Sequence, residues 1–265
     1  MIDTKKNINK TLLIKIMPHK LAVGAIFKNE AHGIREWILH YLYHGVDHIY
    51  LIDDGSTDMY EEQIQEFIDK NQVTLFKTGG WNYYLGRQRD MYNTFILPRL
   101  KESEWWLVCD LDEYVYCPDH IDLKVWLYQL ENIGQVQIEN MYFGSNGHIK
   151  QPTQIVNSFI KRKAEISKGH TKYFVTSAFE FSSLNIHHAT FVNPEEEKNN
   201  FYYLDHQYYI VNHYSCQSKE LWDTIKCTRG DGDHYRVRTP DDFYNYDFND
   251  VEDLRLVNQN VGMVL

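Results

Sequence analysis

The stretch LAVGAIFKNEAHGIREWILHYLYHGVDHIYLIDDGSTD, Leu21 to Asp58, carries the pattern on which the fold turns. Leu21 to Phe27 is a short apolar run rich in strand formers. It passes into a segment where Ile34, Trp37, Ile38, Tyr41 and Leu42 recur at helical spacing, with Gly45 placed where a helix stops. His48 to Ile52 is strand-like again and is broken by DDGSTD. A second helical pattern over Met59 to Lys70 puts Ile64, Phe67 and Ile68 on one face, and Val73 to Phe76 reads as a third strand. Strand, helix, strand, helix, strand predicts parallel βαβ units with right-handed crossovers. Such sheets bind ligands at the carboxyl ends of their strands, and polar residues gather there: Lys28, Asn29 and Glu30 after the first strand, Asp53 and Asp54 after the second.

Outward from this unit, Arg87 to Leu100 predicts a helix up to Pro98, leading into a strand over Trp105 to Cys109. A helix is expected at Leu123 to Glu131, and Gly134 to Glu139 alternates like an edge or mixed-sheet strand. Beyond it the chain changes character, through FGSNGH, the basic run KRKAEISKGHTK, IHHATF and NHY. There is no internal repeat, no low-complexity segment and no Pro- or Gly-rich linker. One domain over residues 1–265 is expected, its α/β half at about residues 20–130 and an irregular half at about residues 131–250 built against it.

With 265 residues the chain can bury a substantial core, and 43% hydrophobic with 24% charged residues is a globular composition. A net charge of −10 argues against a nucleic-acid partner held by a broad basic face. An anionic ligand therefore needs local help from a metal or a few placed Arg and Lys. The four cysteines show no CxxC pairing and suit a reducing compartment. The apolar patch Leu12 to Met17 is short and interrupted by Lys15, which fits neither a signal peptide nor a membrane span. The expectation is a soluble, cytoplasmic protein whose only membrane contact is peripheral.

The run WWLVCDLDEYVY, Trp105 to Tyr116, drives an apolar strand into Asp110, Asp112 and Glu113. Clustered carboxylates lose hydration and repel one another, so they either turn outward at the strand end or hold a cation. In an extended segment Asp110 and Asp112 share a face, and two such carboxylates make half of an oxygen-ligand site for Mg²⁺ or Mn²⁺. His213 follows another apolar run and could supply a nitrogen ligand, although a lone histidine is more often a satisfied structural group. Arg87, Arg89, Lys172, Lys226 and Arg229 are candidates for neutralising phosphate, with two or three of them expected to touch a ligand. Asp53 or Asp54 could accept from a uracil imide or a ribose hydroxyl, whereas Gly55 to Asp58 reads as turn and helix cap. In the GDGD piece, Asp231 and Asp233 are turn residues by default, with a base or metal role as the alternative.

Taken in order, FKNEAHGIREWILHYLYHGVDHIYLIDDGSTD, WWLVCDLDEYVY, FGSNGH, IHHATF and NHYSCQSKELWDTIKCTRGDG resemble the blocks of family 2 and family 92 glycosyltransferases of GT-A fold. The resemblance runs from about Leu21 to about Asp233. It implies a Rossmann-like, mostly parallel central sheet flanked by helices, with an irregular C-terminal acceptor half. It also implies that Ala25, Phe27 and Asn29 line a nucleotide pocket and that Asp54, with Asp53 as a second candidate, holds uracil and ribose. Asp110 then approaches ribose or metal, Asp112 is the chief metal ligand with His213 beside it, and Glu113 braces the loop or reaches the sugar. The catalytic base is left among Glu180, Asp231 and Asp233.

The activity so implied is metal-dependent transfer from a nucleoside-diphosphate sugar, a UDP-sugar, to a glycan, lipid-linked or protein hydroxyl, with inversion by single displacement. Two rivals stand beside it. One is a non-catalytic nucleotide- or carbohydrate-binding module of the same fold. The other is a Mg²⁺-dependent nucleotidyltransferase, for which GAIFKNEAHG is a poor phosphate loop.

Overall fold

The computed structural model describes residues 17–166, 171–231 and 234–264. Its first strands are β1 (His19–Phe27), β2 (His48–Asp53), β3 (Val73–Lys77), β4 (Ser103–Val108), β5 (Glu113–Tyr116) and β6 (Gln135–Tyr142). Three more complete the central sheet: β7 (Thr171–Thr176), β8 (Phe201–Leu204) and β9 (Ile210–His213). The sheet order is β3-β2-β1-β4-β7-β6-β9-β5, with β8 pairing on β6. β3, β2, β1 and β4 run parallel, as do β6 with β8 and β9, whereas β7 and β5 pair antiparallel to their neighbours. The α/β class and the mixed, mostly parallel sheet follow the expectation.

Three helices cover the parallel half: α1 (Ile34–Tyr43), α2 (Tyr60–Asp69) and α3 (Arg87–Phe95). Alternation along β1 sends Leu21, Val23, Ala25 and Phe27 to one core with Trp37, Ile38 and Tyr41 of α1 and Ile64 and Phe67 of α2. Ala22 faces a second core on the opposite side, with Tyr50, Trp106, Val108 and Met91 and Tyr92 of α3. Because both faces are covered, the strand reads as a continuous apolar run.

Some boundaries differ from the sequence pattern. The helix expected to reach Pro98 ends at Phe95, and a 3₁₀ turn over Leu97–Glu102 takes Pro98 in its first turn, where a missing N–H costs nothing. Only Lys124–Leu127 is helical in the Leu123 to Glu131 segment, which loosens into turns before Asn132 takes φ +58°. β6 is longer than expected and is an interior strand, flanked on both sides. Among the described residues no helix is long and apolar enough to cross a membrane.

Candidate active site

The cleft opens where the fold rules place it, at the carboxyl ends of β1, β2 and β4. Its lining includes Phe27, Lys28 and Glu30 after β1, Asp54 after β2, and Asp110, Leu111 and Asp112 after β4. The α3 side adds Tyr83, Arg87 and Gln88, and the C-terminal half adds His213, Lys226, Arg229 and Arg238. A protein of net charge −10 thus concentrates five basic side chains, among the described residues, around one opening.

At the β2 end the adjacent aspartates divide their work. Asp53 Oδ1 accepts the Ser56 N–H (2.8 Å) and its Oδ2 accepts the Tyr60 hydroxyl (3.0 Å), so this carboxylate shapes the turn. Asp54 faces the cleft and takes the Arg87 guanidinium as a fork, at 2.9 Å and 2.5 Å, with both groups buried. Burial pushes the Asp54 carboxyl above its ordinary range, and Arg87 opposes that rise. The Tyr83 ring lies 4.2 Å from the same guanidinium.

The acids after β4 stand in a turn, and the same-face argument for an extended segment does not apply to them. The Glu113 N–H donates to Asp110 O (3.2 Å), while the Glu113 carboxylate accepts the Asp110 N–H (2.9 Å). From α1, Trp37 Nε1 donates to the carbonyls of Asp110 and Glu113, and the Tyr41 hydroxyl donates to that of Glu113, all at 3.0 Å. The aromatic stripe of α1 therefore sets the turn as well as filling the core.

Each acid has a cationic partner. Lys172 Nζ, fully buried on β7, lies 2.6 Å from Asp110 Oδ2 and 3.1 Å from Glu113 Oε2. Lys226 Nζ, also buried, lies 2.7 Å from Asp112 Oδ2. His213, paired in register with Glu113 across β9 and β5, directs Nε2 at Asp112 Oδ1 (3.5 Å) and Nδ1 at Glu113 Oε1 (3.4 Å). Burial raises Asp112, but Lys226 and His213 outweigh it and hold the carboxyl well below the usual range. Burial likewise lowers His213, and Asp112 and Glu113 reverse the shift upward. For Glu113 burial prevails over Lys172, and its carboxyl is raised. Nearer the opening, Arg229 bonds the Lys28 carbonyl and the Glu30 carboxylate. Burial raises Glu30, but Arg229 and Lys226 outweigh it.

Of the residues picked out in the sequence, Phe27, Lys28, Glu30, Asp54, Arg87, Asp110, Asp112, His213, Lys226 and Arg229 meet in this cleft, and Lys172 supports it from behind. Besides Asp53, which shapes the turn, four others sit elsewhere. Ala25 is buried in the α1–α2 core. Asn29, at φ +56°, ties two loops by accepting the Thr57 N–H (2.7 Å) and donating its own N–H to Ser56 Oγ (2.9 Å). Arg89 is exposed beside Asp90. Glu180 follows β7, whose antiparallel pairing sets Thr176 opposite Trp105 near the start of β4. It is thereby carried to the end of the sheet away from the cleft, where it pairs with Lys101 at 2.7 Å and cannot serve as the base. Asp233 and the Asp231 side chain lie outside the described residues. Lys28 and Glu30 stand where the sequence pattern placed polar residues after β1, whereas nothing in the sequence marks Tyr83, Gln88 or Arg238.

A mixed α/β sheet with a charged cleft at its parallel strand ends is the class that fold and site define. Within that class the chain is a distant homologue of glycosyltransferase family 92 proteins. One from Arabidopsis thaliana is 24% identical over 220 residues, covering 78% of this chain and 36% of the relative. One from Oryza sativa subsp. japonica is 24% identical over 213 residues, covering 78% and 35%. The chain spans about a third of the length of these relatives. No family model matches. Among solved structures, S. aureus TarS 1–349 in complex with UDP-GlcNAc aligns over 92% of this chain and 73% of its own, at 16% identity and a TM-score of 0.45.

Proposed function

We propose that this chain is a glycosyltransferase that binds a nucleoside-diphosphate sugar, a UDP-sugar, in the cleft and passes the sugar to a hydroxyl of a glycan, lipid-linked or protein acceptor. One observation carries the reading: buried, ion-paired cations and carboxylates converge at the carboxyl ends of β1, β2 and β4. Asp54, held by Arg87, presents a fixed acceptor for the nucleoside, and Lys226 and Arg229 supply charge for the diphosphate. Because these groups are already oriented, little reorganisation is needed when negative charge builds on the departing diphosphate.

A divalent ion fits part of the set foreseen for it. Asp112 Oδ1 and His213 Nε2 face each other at 3.5 Å, close to the ~3 Å between adjacent donors on one octahedral Mg²⁺ or Mn²⁺. Asp110 is engaged by Lys172, and no group of three or more potential ligands occurs among the described residues. Asp112 and His213 would therefore hold the ion, which supplies further charge neutralisation at the diphosphate when bound. Asp231 and Asp233, two and four residues past Arg229, are the base candidates left to deprotonate the acceptor for an inverting displacement.

The test is a thermal-shift screen of nucleotide sugars with Mn²⁺, followed by product analysis with the stabilising donor. A UDP-sugar should raise the melting temperature and release free UDP. Stabilisation by none of them, or release of pyrophosphate instead of UDP, would end the reading. Asp112→Ala should abolish divalent-dependent turnover while the fold survives, and loss of transfer with UDP binding retained in Asp231→Asn or Asp233→Asn identifies the base.

A further inference from the structure

The acids of DLDE raised a choice between solvation and a metal, and the structure supplies a third arrangement. Lys172 of β7 and Lys226 of the C-terminal half neutralise Asp110 and Asp112. Lys226 differs from Lys172 in lining the cleft itself. It ends a π-helical turn, Trp222–Lys226, an irregularity that often marks functional sites. That turn is fixed by the Ser218 cap and by Trp222 Nε1 donating to Thr239 O at 2.9 Å. The ammonium is therefore aimed by a built scaffold, and Arg229 stands one turn further on.

We propose that Lys226 is the resident cation of the donor site: it neutralises Asp112 in the empty cleft and contacts the diphosphate directly, so that nucleotide binds without a divalent ion and the ion joins only afterwards. The inference rests on the nucleotide-sugar reading and deepens it. Electrostatics give the order. With Lys226 2.7 Å from Asp112 Oδ2, a divalent ion entering alone meets a carboxylate whose charge is already balanced and an ammonium that repels it. Two phosphates restore the deficit of positive charge, and the second face of Asp112, toward His213, is then worth occupying.

The test titrates UDP calorimetrically into the full chain in EDTA and in Mn²⁺, and titrates Mn²⁺ alone by its paramagnetic resonance signal. The wild-type chain should bind UDP in EDTA and should bind Mn²⁺ weakly until UDP is added. Lys226→Met should weaken metal-free UDP binding by roughly 10- to 100-fold, the loss of a charged hydrogen bond, and tighten binding of Mn²⁺ alone. Lys226→Arg should keep most of the metal-free affinity. If Lys226→Met does not fold, the charge-balanced pair Asp112→Asn with Lys226→Met replaces it and should show the same loss in EDTA. UDP binding that needs Mn²⁺ would overturn this inference alone. So would metal-free binding unchanged in these variants, or Mn²⁺ alone bound by the wild type as tightly as by Lys226→Met. Absence of UDP binding in both EDTA and Mn²⁺ would overturn the donor reading with it.

Discussion

Single residues in this protein are constrained most tightly where charge is buried. Arg87 and Asp54 are both nearly inaccessible, and removing Arg87 takes the guanidinium fork away from a buried carboxylate. Arg87→Ala is expected to cost about 3–5 kcal/mol in urea unfolding, whereas Arg87→Met with Asp54→Leu should recover a large part of it. A cost below about 1 kcal/mol would mean that the pair adds little beyond its packing. Asp253 offers a pH-dependent case far from the cleft. Burial raises its carboxyl, but hydrogen bonds from Arg255 and Arg162 outweigh that and bring it down to about 2. A depressed carboxylate stabilises the fold above its unfolded value of about 4, and the contribution is lost as the pH falls toward 2. Asp253→Asn should therefore be less stable than wild type by about 2 kcal/mol at pH 7, and the gap should close between about pH 4 and pH 2. A gap that stays constant over that range would show that the charge itself is not what stabilises.

Among the elements, the turn after β2 has little freedom. Gly55 sits at φ +73°, and a Cβ there would lie 2.8 Å from the Gly80 Cα, a backbone atom that cannot swing aside. Gly79 shares the φ of +73° but has open space around the same position. Gly79→Ala should therefore cost about 1 kcal/mol from backbone conformation alone, and Gly55→Ala about 2–4 kcal/mol. Equal costs in chemical denaturation would refute the clash. The β1-α1-β2-α2-β3 unit was legible because its periodicities are local and strong: Trp37, Ile38 and Tyr41 pack where their spacing puts them. The DLD turn was legible in composition but not in shape, since carbonyl contacts from Trp37 and Tyr41 set it across more than 70 residues of sequence. Lys172 and Lys226 were picked out as phosphate contacts, but their pairing with Asp110 and Asp112 was not legible for the same reason: it joins residues 62 and 114 apart in sequence. The segment Leu123 to Glu131 misled because its apolar residues suit a helix, whereas the helix ends at Leu127 and the chain passes through turns to Asn132 at φ +58°.

At the scale of the whole molecule, the sheet order decides what depends on what. β5 lies at the sheet edge and pairs with β9, so Glu113 and His213, a hundred residues apart in sequence, share one register. A chain stopped after Asp205 lacks β9, and its Glu113–Tyr116 segment should be cut by protease under conditions where the full chain resists. Resistance of that segment in the shortened chain would show that β5 holds without its partner. The same connectivity governs the order in which the protein can mature on the ribosome. The first parallel strands emerge early and can assemble among themselves, but the acids of DLDE wait for Lys172, then His213, then Lys226. Throughout that interval an uncompensated carboxylate cluster adjoins an unpaired strand, a state suited to chaperone capture. The charge pairing of the cleft is thus completed late in synthesis.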